Sequence, residues 1–314
     1  MKEMYFFRDF KRFTGGHLKV WDYYNHVKDS DCFIPYIYFS KGSLMDESNL
    51  WRNEKRNVLE NWNPTKANCL FIGGMDWLSL PEPNRKNWPK PIINLVQHVR
   101  HAQSGTPLYE FLSNHAIRIC VSQEVADSIL ATGKVNGPVF TIPNGIDYSF
   151  ITRNNLANSN KDVDLLIVGL KNPSMAKELV TACKDLPVTI RCLTEIIPRL
   201  DFIRALAGSR IAVLLPHITE GFYLPAIEGM ASKTLVICPD CIGNRSFCHD
   251  KYNCIIPPYS VSEILETILR TLKLSDLEFN NYILRAHDTV LKHNIEQEQQ
   301  LFYKILQQLE SLWN

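Results

Sequence analysis

Short apolar runs recur along the chain, each bounded by polar, proline or glycine positions. In the first half they fall at residues 5–10, 33–39, 69–72, 92–98 and 117–121. Their length and their Ile, Val, Phe and Tyr content predict buried strands. Between them, 18–27 and 124–130 carry apolar residues at helical spacing. The second half repeats the alternation. Strands are expected at 164–169, 188–191, 211–216 and 234–238, and helices at 174–183, 201–207, 261–272 and 298–313. Strands alternating with helices imply parallel α/β sheets. Polar stretches interrupt the pattern. Residues 42–66 are mixed, 81–91 are a proline-rich loop, and 151–162 are an asparagine-bearing stretch that reads as an exposed linker. The expected organisation is therefore a domain over 1–150 and a second over 151–297. A C-terminal helix from about 298 to 314 is expected to pack back on the first.

Candidate chemistry sits in the turns that follow strands. Glu220-Gly-Phe-Tyr-Leu-Pro-Ala-Ile-Glu228 follows one expected strand and precedes another. Open α/β sheets bind ligands beyond the carboxyl ends of their strands, which is where Glu220 and Gly221 would lie. Amides of Gly221, Phe222 and Tyr223, left free at a helix start, would suit an anion. Glu228, about a turn and a half further on, is a carboxylate able to accept hydrogen bonds from a vicinal diol such as ribose. Two glutamates at this spacing also fit an ordinary loop and a solvated helix face. In the first half, Thr14-Gly15-Gly16 joins the first strand to the first helix, and glycine lets backbone approach a ligand. His98 ends the 92–98 run, with Arg100 and His101 beside it; it reads equally as a reactive or a buried structural histidine.

Composition narrows the classes. The chain has 314 residues, enough for two cores. Its 34 Lys and Arg against 33 Asp and Glu give a formal charge of +1, which gives no support to nucleic-acid binding driven by bulk charge and leaves a local basic groove open. Apolar residues make up 45%, and no run is long enough to span a bilayer. The N-terminus lacks a signal-peptide pattern, so the expected location is the cytoplasm, with the inner face of a membrane as an alternative. Nine cysteines are scattered, mostly in strand-like runs. That fits reduced, buried thiols. Cys238, Cys241, Cys248, His249 and Cys254 cluster in sequence but lack the paired spacing of a zinc site, so no metal is expected.

The segment around Glu220 resembles the retaining nucleotide-sugar glycosyltransferases of family four. The shared pieces are Glu220-Gly-Phe-Tyr-Leu-Pro, Glu228-Gly-Met-Ala231, Leu235-Val-Ile, Ile242-Gly-Asn and Tyr252-Asn-Cys-Ile-Ile-Pro257, in matching order. Ile142-Pro-Asn-Gly-Ile-Asp147 is similar to the family's domain junction. The resemblance implies a glycosyltransferase B fold, an α/β class with two Rossmann-like domains facing across a cleft. It implies a hexosyltransferase-like enzyme that moves a sugar from a nucleoside diphosphate to a hydroxyl acceptor, with retention, without metal or other cofactor. Glu228 would bind the donor ribose, Glu220 the transferred sugar, and the loop Gly221, Phe222, Tyr223 and Leu224 the sugar and diphosphate. Gly15 and Gly16 would lie by the phosphate, and His98 by the reacting sugar. The acceptor could be a glycan, a lipid-linked glycan, a protein or a modified nucleic acid, with peripheral membrane contact possible in principle. One departure stands out. Leu170 occupies the place of the family's diphosphate-binding arginine, leaving Lys171 and Lys177 as the nearest cations and Arg245 as a more distant one. That keeps two alternatives in view: an inactive sugar-nucleotide-binding protein on the same fold, or an inverting enzyme.

Overall fold

The computed structural model describes the chain except residues 83, 155, 157 and 158. Parts of the expected proline-rich loop and of the expected linker fall on those four positions and so lie outside the described residues. The chain divides into two units. One comprises 1–144 with 296–314, and the other 145–295.

The first unit is built on β1 (Lys2–Arg8), α1 (Gly15–Lys28), β2 (Phe33–Phe39), β3 (Cys69–Gly73), β4 (Ile92–Val96), α2 (Pro107–Glu110), β5 (Ile117–Cys120), α3 (Gln123–Leu130) and β6 (Val139–Thr141). The six strands form one parallel sheet in the order β2-β1-β3-β4-β5-β6. β3 and β4 are buried at every position, as their mostly apolar runs require when both faces of a parallel sheet are covered; the polar Asn94 in β4 is satisfied by donating from Nδ2 to Ile72 O at 3.1 Å. β1 runs from residue 2 to 8, not 5 to 10, because the chain turns away after Arg8 and Phe10 bonds to Ser43 and Leu44 through its backbone. On one face, Tyr5, Leu70, Ile72 and Ile92 pack with Trp77, Trp88 and Phe111. Arg118 of β5 is fully buried, with no carboxylate paired to it among the described residues. Its guanidinium donates instead to the carbonyls of Phe111, Leu112, Asn114, Ala116 and Asn136. Burial lowers its pKa to about 10, and the five carbonyls tie the loops around β5 to the strand.

The second unit contains α4 (Tyr148–Arg153), β7 (Val163–Val168), α5 (Pro173–Ala182), β8 (Ile190–Leu193), α6 (Arg199–Ala207), β9 (Ser209–Leu214), α7 (Leu224–Ala231), β10 (Leu235–Ile237), α8 (Val261–Thr271) and α9 (Asp276–Lys292). Its parallel sheet runs β10-β9-β7-β8. Leu165, Ile167, Ile211, Val213, Leu235 and Ile237 form one apolar face, covered by Ala176, Leu179, Ile264 and Ile268. Two features depart from the sequence expectation. Residues 148–153 are helical, not linker: Asp147 caps the helix by accepting from Phe150 N at 3.0 Å, and Ile151 is buried. The unit also begins at 145 instead of 151, since Ile146 N donates to His293 O at 2.8 Å and Ile295 N to Ile146 O at 3.1 Å.

The last helical segment starts at α10 (Ile295–Gln307), breaks at Gln308 and ends in α11 (Leu309–Trp313). Glu298 of α10 is buried against α1. Its two oxygens meet Lys19 Nζ at 2.6 Å and His26 Nε2 at 3.0 Å, while Lys19 also reaches Asp22 at 2.7 Å. Phe302 adds an edge-on contact with Tyr23, with ring centres 4.9 Å apart. Burial alone would raise the Glu298 carboxyl, but Lys19 and His26 outweigh it and hold its pKa below the ordinary value. A depressed carboxylate stabilises the fold above its unfolded pKa and loses that contribution as pH falls through the folded value. Replacing Glu298 by Ala leaves Lys19 without this counter-charge, and His26 without this hydrogen-bond partner, inside the unit, at a cost of about 3–5 kcal/mol. Urea unfolding at pH 7 measures that loss, and the difference between wild type and Glu298→Gln should shrink as the buffer is taken below about pH 4.

Candidate functional site

Both sheets reverse their strand order beside their first strand, between β1 and β3 and between β7 and β9. The loops leaving these strands therefore diverge at the carboxyl edge and open a crevice there. Gly15, Gly16, Lys171 and the 220–224 segment fall on such loops or on the helix starts that follow them; His98 follows β4 instead, and Lys177 and Glu228 each lie just past the first turn of their helices.

In the first unit, Gly15 opens α1, with Thr14 as its cap accepting from His17 N at 3.2 Å. Gln97 Nε2 donates to Gly16 O at 3.3 Å and so ties the end of β4 to the glycine turn. The next residue, His98, accepts at Nδ1 from Arg100 N (3.2 Å) and Arg100 Nε (3.3 Å). An accepting Nδ1 places the proton of the neutral ring on Nε2, making that nitrogen a donor. His101 is buried; burial, then Arg118 and Arg100, lower its pKa to about 4, so it is neutral. The crossing of β1 and β3 also holds a buried ion pair that the sequence reading missed, between Arg8 and Asp76. Asp76 accepts from Gly73 N at 2.8 Å, and burial brings Arg8 down to about 10. His17 lies over Phe10 with ring centres 4.7 Å apart, its pKa lowered to about 4 by burial and then by Arg8. An arginine ending one strand and an aspartate after the Gly73-Gly74 pair were the available signals.

In the second unit, the chain leaves β9 through Pro216 and reaches Glu220. Gly221, Phe222, Tyr223 and Leu224 are all buried. Phe222 stacks on Phe247 at 4.8 Å and lies 5.9 Å from His293. The amides are not all available, contrary to expectation. Tyr223 N donates to Gly243 O at 2.9 Å, and Leu224 N to Phe222 O at 3.1 Å. The reason is the 242–244 turn, which lies directly under the loop. A Cβ on Gly243 would meet Phe222 N at 2.7 Å and Glu220 O at 2.8 Å.

The two glutamates each face a cation. Glu220 Oε1 lies 3.5 Å from Lys171 Nζ, so the loop after β7 and the loop after β9 meet at the crossing point. Lys171 is about half exposed and Glu220 largely covered. Glu228, on α7, is buried and accepts from Arg199 Nη1 at 2.5 Å. Arg199 begins α6, and its guanidinium sits over the Phe150 ring at 5.5 Å. Nothing in the family pattern singled out Arg199; its place at a helix start, opposite α7, shows only in the fold. Lys177 lies on an exposed part of α5 and makes no ion pair among the described residues; its charge acts on the Cys192 thiol. Arg245 is held by both oxygens of Asp240, at 3.0 and 2.6 Å. The structure thus joins Lys171 to Glu220 and does not bring Lys177 to either glutamate.

The cysteine cluster is a buried apolar packing feature. Cys238 accepts from Asn244 Nδ2 at 3.4 Å, and burial pushes the Cys241 thiol up to about 12. All nine cysteines are free thiols. Among the described residues, no group of three or more His, Cys, Asp or Glu is arranged to hold a metal.

Residues 137–274 match the family model described as Glycosyl transferases group 1. No curated protein sequence matches the chain. Solved structures do. The sucrose-phosphate synthase of Thermosynechococcus elongatus superposes with a TM-score of 0.73 at 12% identity, covering 99% of this chain and 100% of that one. The HepE protein of Anabaena, solved with UDP-glucose, gives 0.72 at 12% identity and the same coverages. A glycosyltransferase of Rickettsia africae gives 0.66 at 13% identity, with 98% of both chains covered. The fold is that of the glycosyltransferase B enzymes, α/β with two Rossmann-like domains.

Gly243 offers a direct test of the loop architecture. Its substitution by Ala drives a methyl group into backbone atoms of the 220–222 loop, and overpacking of this kind costs about 1–3 kcal/mol. A fall of that size in unfolding free energy, with secondary structure intact by circular dichroism, is the expected result; an unchanged midpoint would show that the loop yields freely.

Proposed function

We propose, for a chain that carries a glycosyl transferases group 1 domain and is a glycosyltransferase, that it moves a sugar from a nucleoside diphosphate to a hydroxyl acceptor with retention of anomeric configuration. The observation that carries this reading is the placement of Glu220 and Glu228. One is at the carboxyl edge of β9 with Lys171 opposite it, and the other lies a short helix stretch away in a buried position. A buried carboxylate near a loop of tight backbone is suited to a ribose diol, and the less deeply covered Glu220 to sugar hydroxyls. In the proposed reaction the bond from the anomeric carbon to the diphosphate oxygen breaks, and a bond from the acceptor oxygen to that carbon forms. The acceptor proton passes to the departing phosphate. Lys171 supplies positive charge where the leaving group gathers negative charge. His98, with its donor nitrogen at Nε2, would meet a hydroxyl of the transferred sugar, and Gly15 and Gly16 would border the phosphate. No metal enters this scheme. HepE was solved with UDP-glucose, which makes a uridine donor the first to try. No described helix is long and apolar enough to cross a membrane; a cytoplasmic location, with or without peripheral membrane contact, is part of the proposal.

A second reading, a sugar-nucleotide-binding protein with little or no transfer activity, is favoured by two observations. Leu170 replaces a cation, and Lys171 is already engaged by Glu220. Release of free sugar or transfer to an added acceptor, followed by NMR, separates the two and reports the anomeric outcome as well.

Four outcomes are expected. Glu228→Gln, which keeps volume, should weaken nucleoside diphosphate binding about tenfold in calorimetry, the worth of one charge-assisted hydrogen bond. Lys171→Ala should cost more affinity for the diphosphate than for the bare nucleoside; equal losses would remove it from the phosphate. His98→Ala should depress transfer while leaving nucleoside diphosphate affinity within a few-fold, and EDTA should leave wild-type transfer unchanged.

A further inference from the structure

Glu228 poses a problem of electrostatics. A carboxylate that is nearly fully buried is costly unless paired. Its partner, Arg199, is not a residue of the loop that carries the glutamates. It comes from the start of α6 and is itself only one-fifth exposed. The bond is short, 2.5 Å, and uses one nitrogen and one oxygen. A carboxylate has about four lone-pair sites, so Oε2 and the second lone pair of Oε1 remain for another donor. The guanidinium is in turn seated on the Phe150 ring, from α4. A planar guanidinium stacked on an aromatic face loses little freedom when it pairs. Phe150, Arg199 and Glu228 thus form a stack that runs from α4 through α6 to α7.

We propose that Arg199, seated on Phe150, is a positioning residue. It fixes the Glu228 carboxylate with its unused edge turned to receive a ribose diol. This inference rests on the nucleotide-sugar reading above. It distinguishes Arg199 from the cations around Glu220, because its action is on the ribose and not on the diphosphate. It also gives α4 a task in the site: the aromatic floor that keeps the arginine from turning to solvent. Without the arginine, the glutamate has no fixed direction and the diol loses its acceptor, while contacts to base and phosphates persist. A competing arrangement, in which Arg199 occupies the place the ribose needs, predicts the opposite sign.

The test compares uridine diphosphate with its 2′,3′-dideoxy analogue, with the guanosine pair run in parallel, by calorimetry on the intact chain. Wild type should prefer the ribose form by about tenfold or more. In Arg199→Ala the preference should fall to within about twofold, in Arg199→Lys it should be partly restored, and the affinity for the dideoxy form should stay near that of wild type in both. Phe150→Leu, which leaves Arg199 in place without its ring, should give an intermediate preference. Melting curves identify any variant that fails to fold, and Arg199→Lys then carries the comparison. A ribose preference unchanged in the Arg199 variants overturns the proposal, as does tighter ribose binding in Arg199→Ala. A wild-type chain that binds none of the four nucleotides overturns the nucleotide-sugar reading itself, and this inference with it.

Discussion

Parallel strands all point one way, so every loop that leaves a strand does so at the same edge of its sheet. Each unit is bound by this geometry. It gathers the glycine turn, Arg8, Asp76, Gln97 and His98 at one edge of the first unit, although they are spread from residue 8 to residue 98. In the second unit it sets Lys171, after β7, beside Glu220, after β9, because the two strands are neighbours in register. Side-chain chemistry then only has to be present on the right loops. The reversal of strand order opens the space between them.

Within that frame, charge is placed in pairs. Arg8 with Asp76, Lys19 with Glu298 and Arg199 with Glu228 are each largely withdrawn from water. Withdrawing charge is costly, and the attraction in a low-dielectric interior offsets the cost only when the geometry is fixed by other contacts. In all three cases it is. Gly73 holds Asp76, His26 shares Glu298, and Phe150 supports Arg199. Arg118 follows another solution, five backbone carbonyls in place of a carboxylate. The Lys171–Glu220 pair differs in being longer and in having its lysine half open to solvent. A loosely held pair can exchange partners at little cost, which suits residues proposed to meet a ligand.

The strands were legible because a strand buried on both faces must be almost wholly apolar: β3 and β10 are so throughout, and β4 is broken only by Asn94, whose Nδ2 donates to Ile72 O. The Glu220–Glu228 segment was legible because its glycine, proline and acidic residues occur in a fixed order. What stayed hidden depended on tertiary neighbours. Arg199 is an ordinary helix-start arginine until α6 is laid beside α7. The loss of the Tyr223 amide to Gly243 could not be read from the pattern, which includes Ile242-Gly-Asn but does not say which backbone atoms that turn meets. α9 was passed over because leucines at 277, 284 and 291 stay exposed, which blurs the apolar stripe. Its capping box, Ser275 with Glu278, was nonetheless written in the chain. The helix at 148–153 was masked by polar neighbours and revealed itself only through the Asp147 cap and the buried Ile151.

The return of residues 296–314 to the first unit has a consequence for the order of events on the ribosome. The second unit is an uninterrupted stretch, and its two ends are joined by backbone hydrogen bonds at Ile146. It is in effect an insertion into the first. Chains ordinarily fold from the N-terminus as they emerge, but here the N-terminal unit is completed last. Until Glu298 is synthesised, Lys19 and His26 lack the carboxylate they meet in the finished molecule. The nascent first unit must therefore wait, with an aromatic face at Tyr23 uncovered, while the inserted unit has already been made in full.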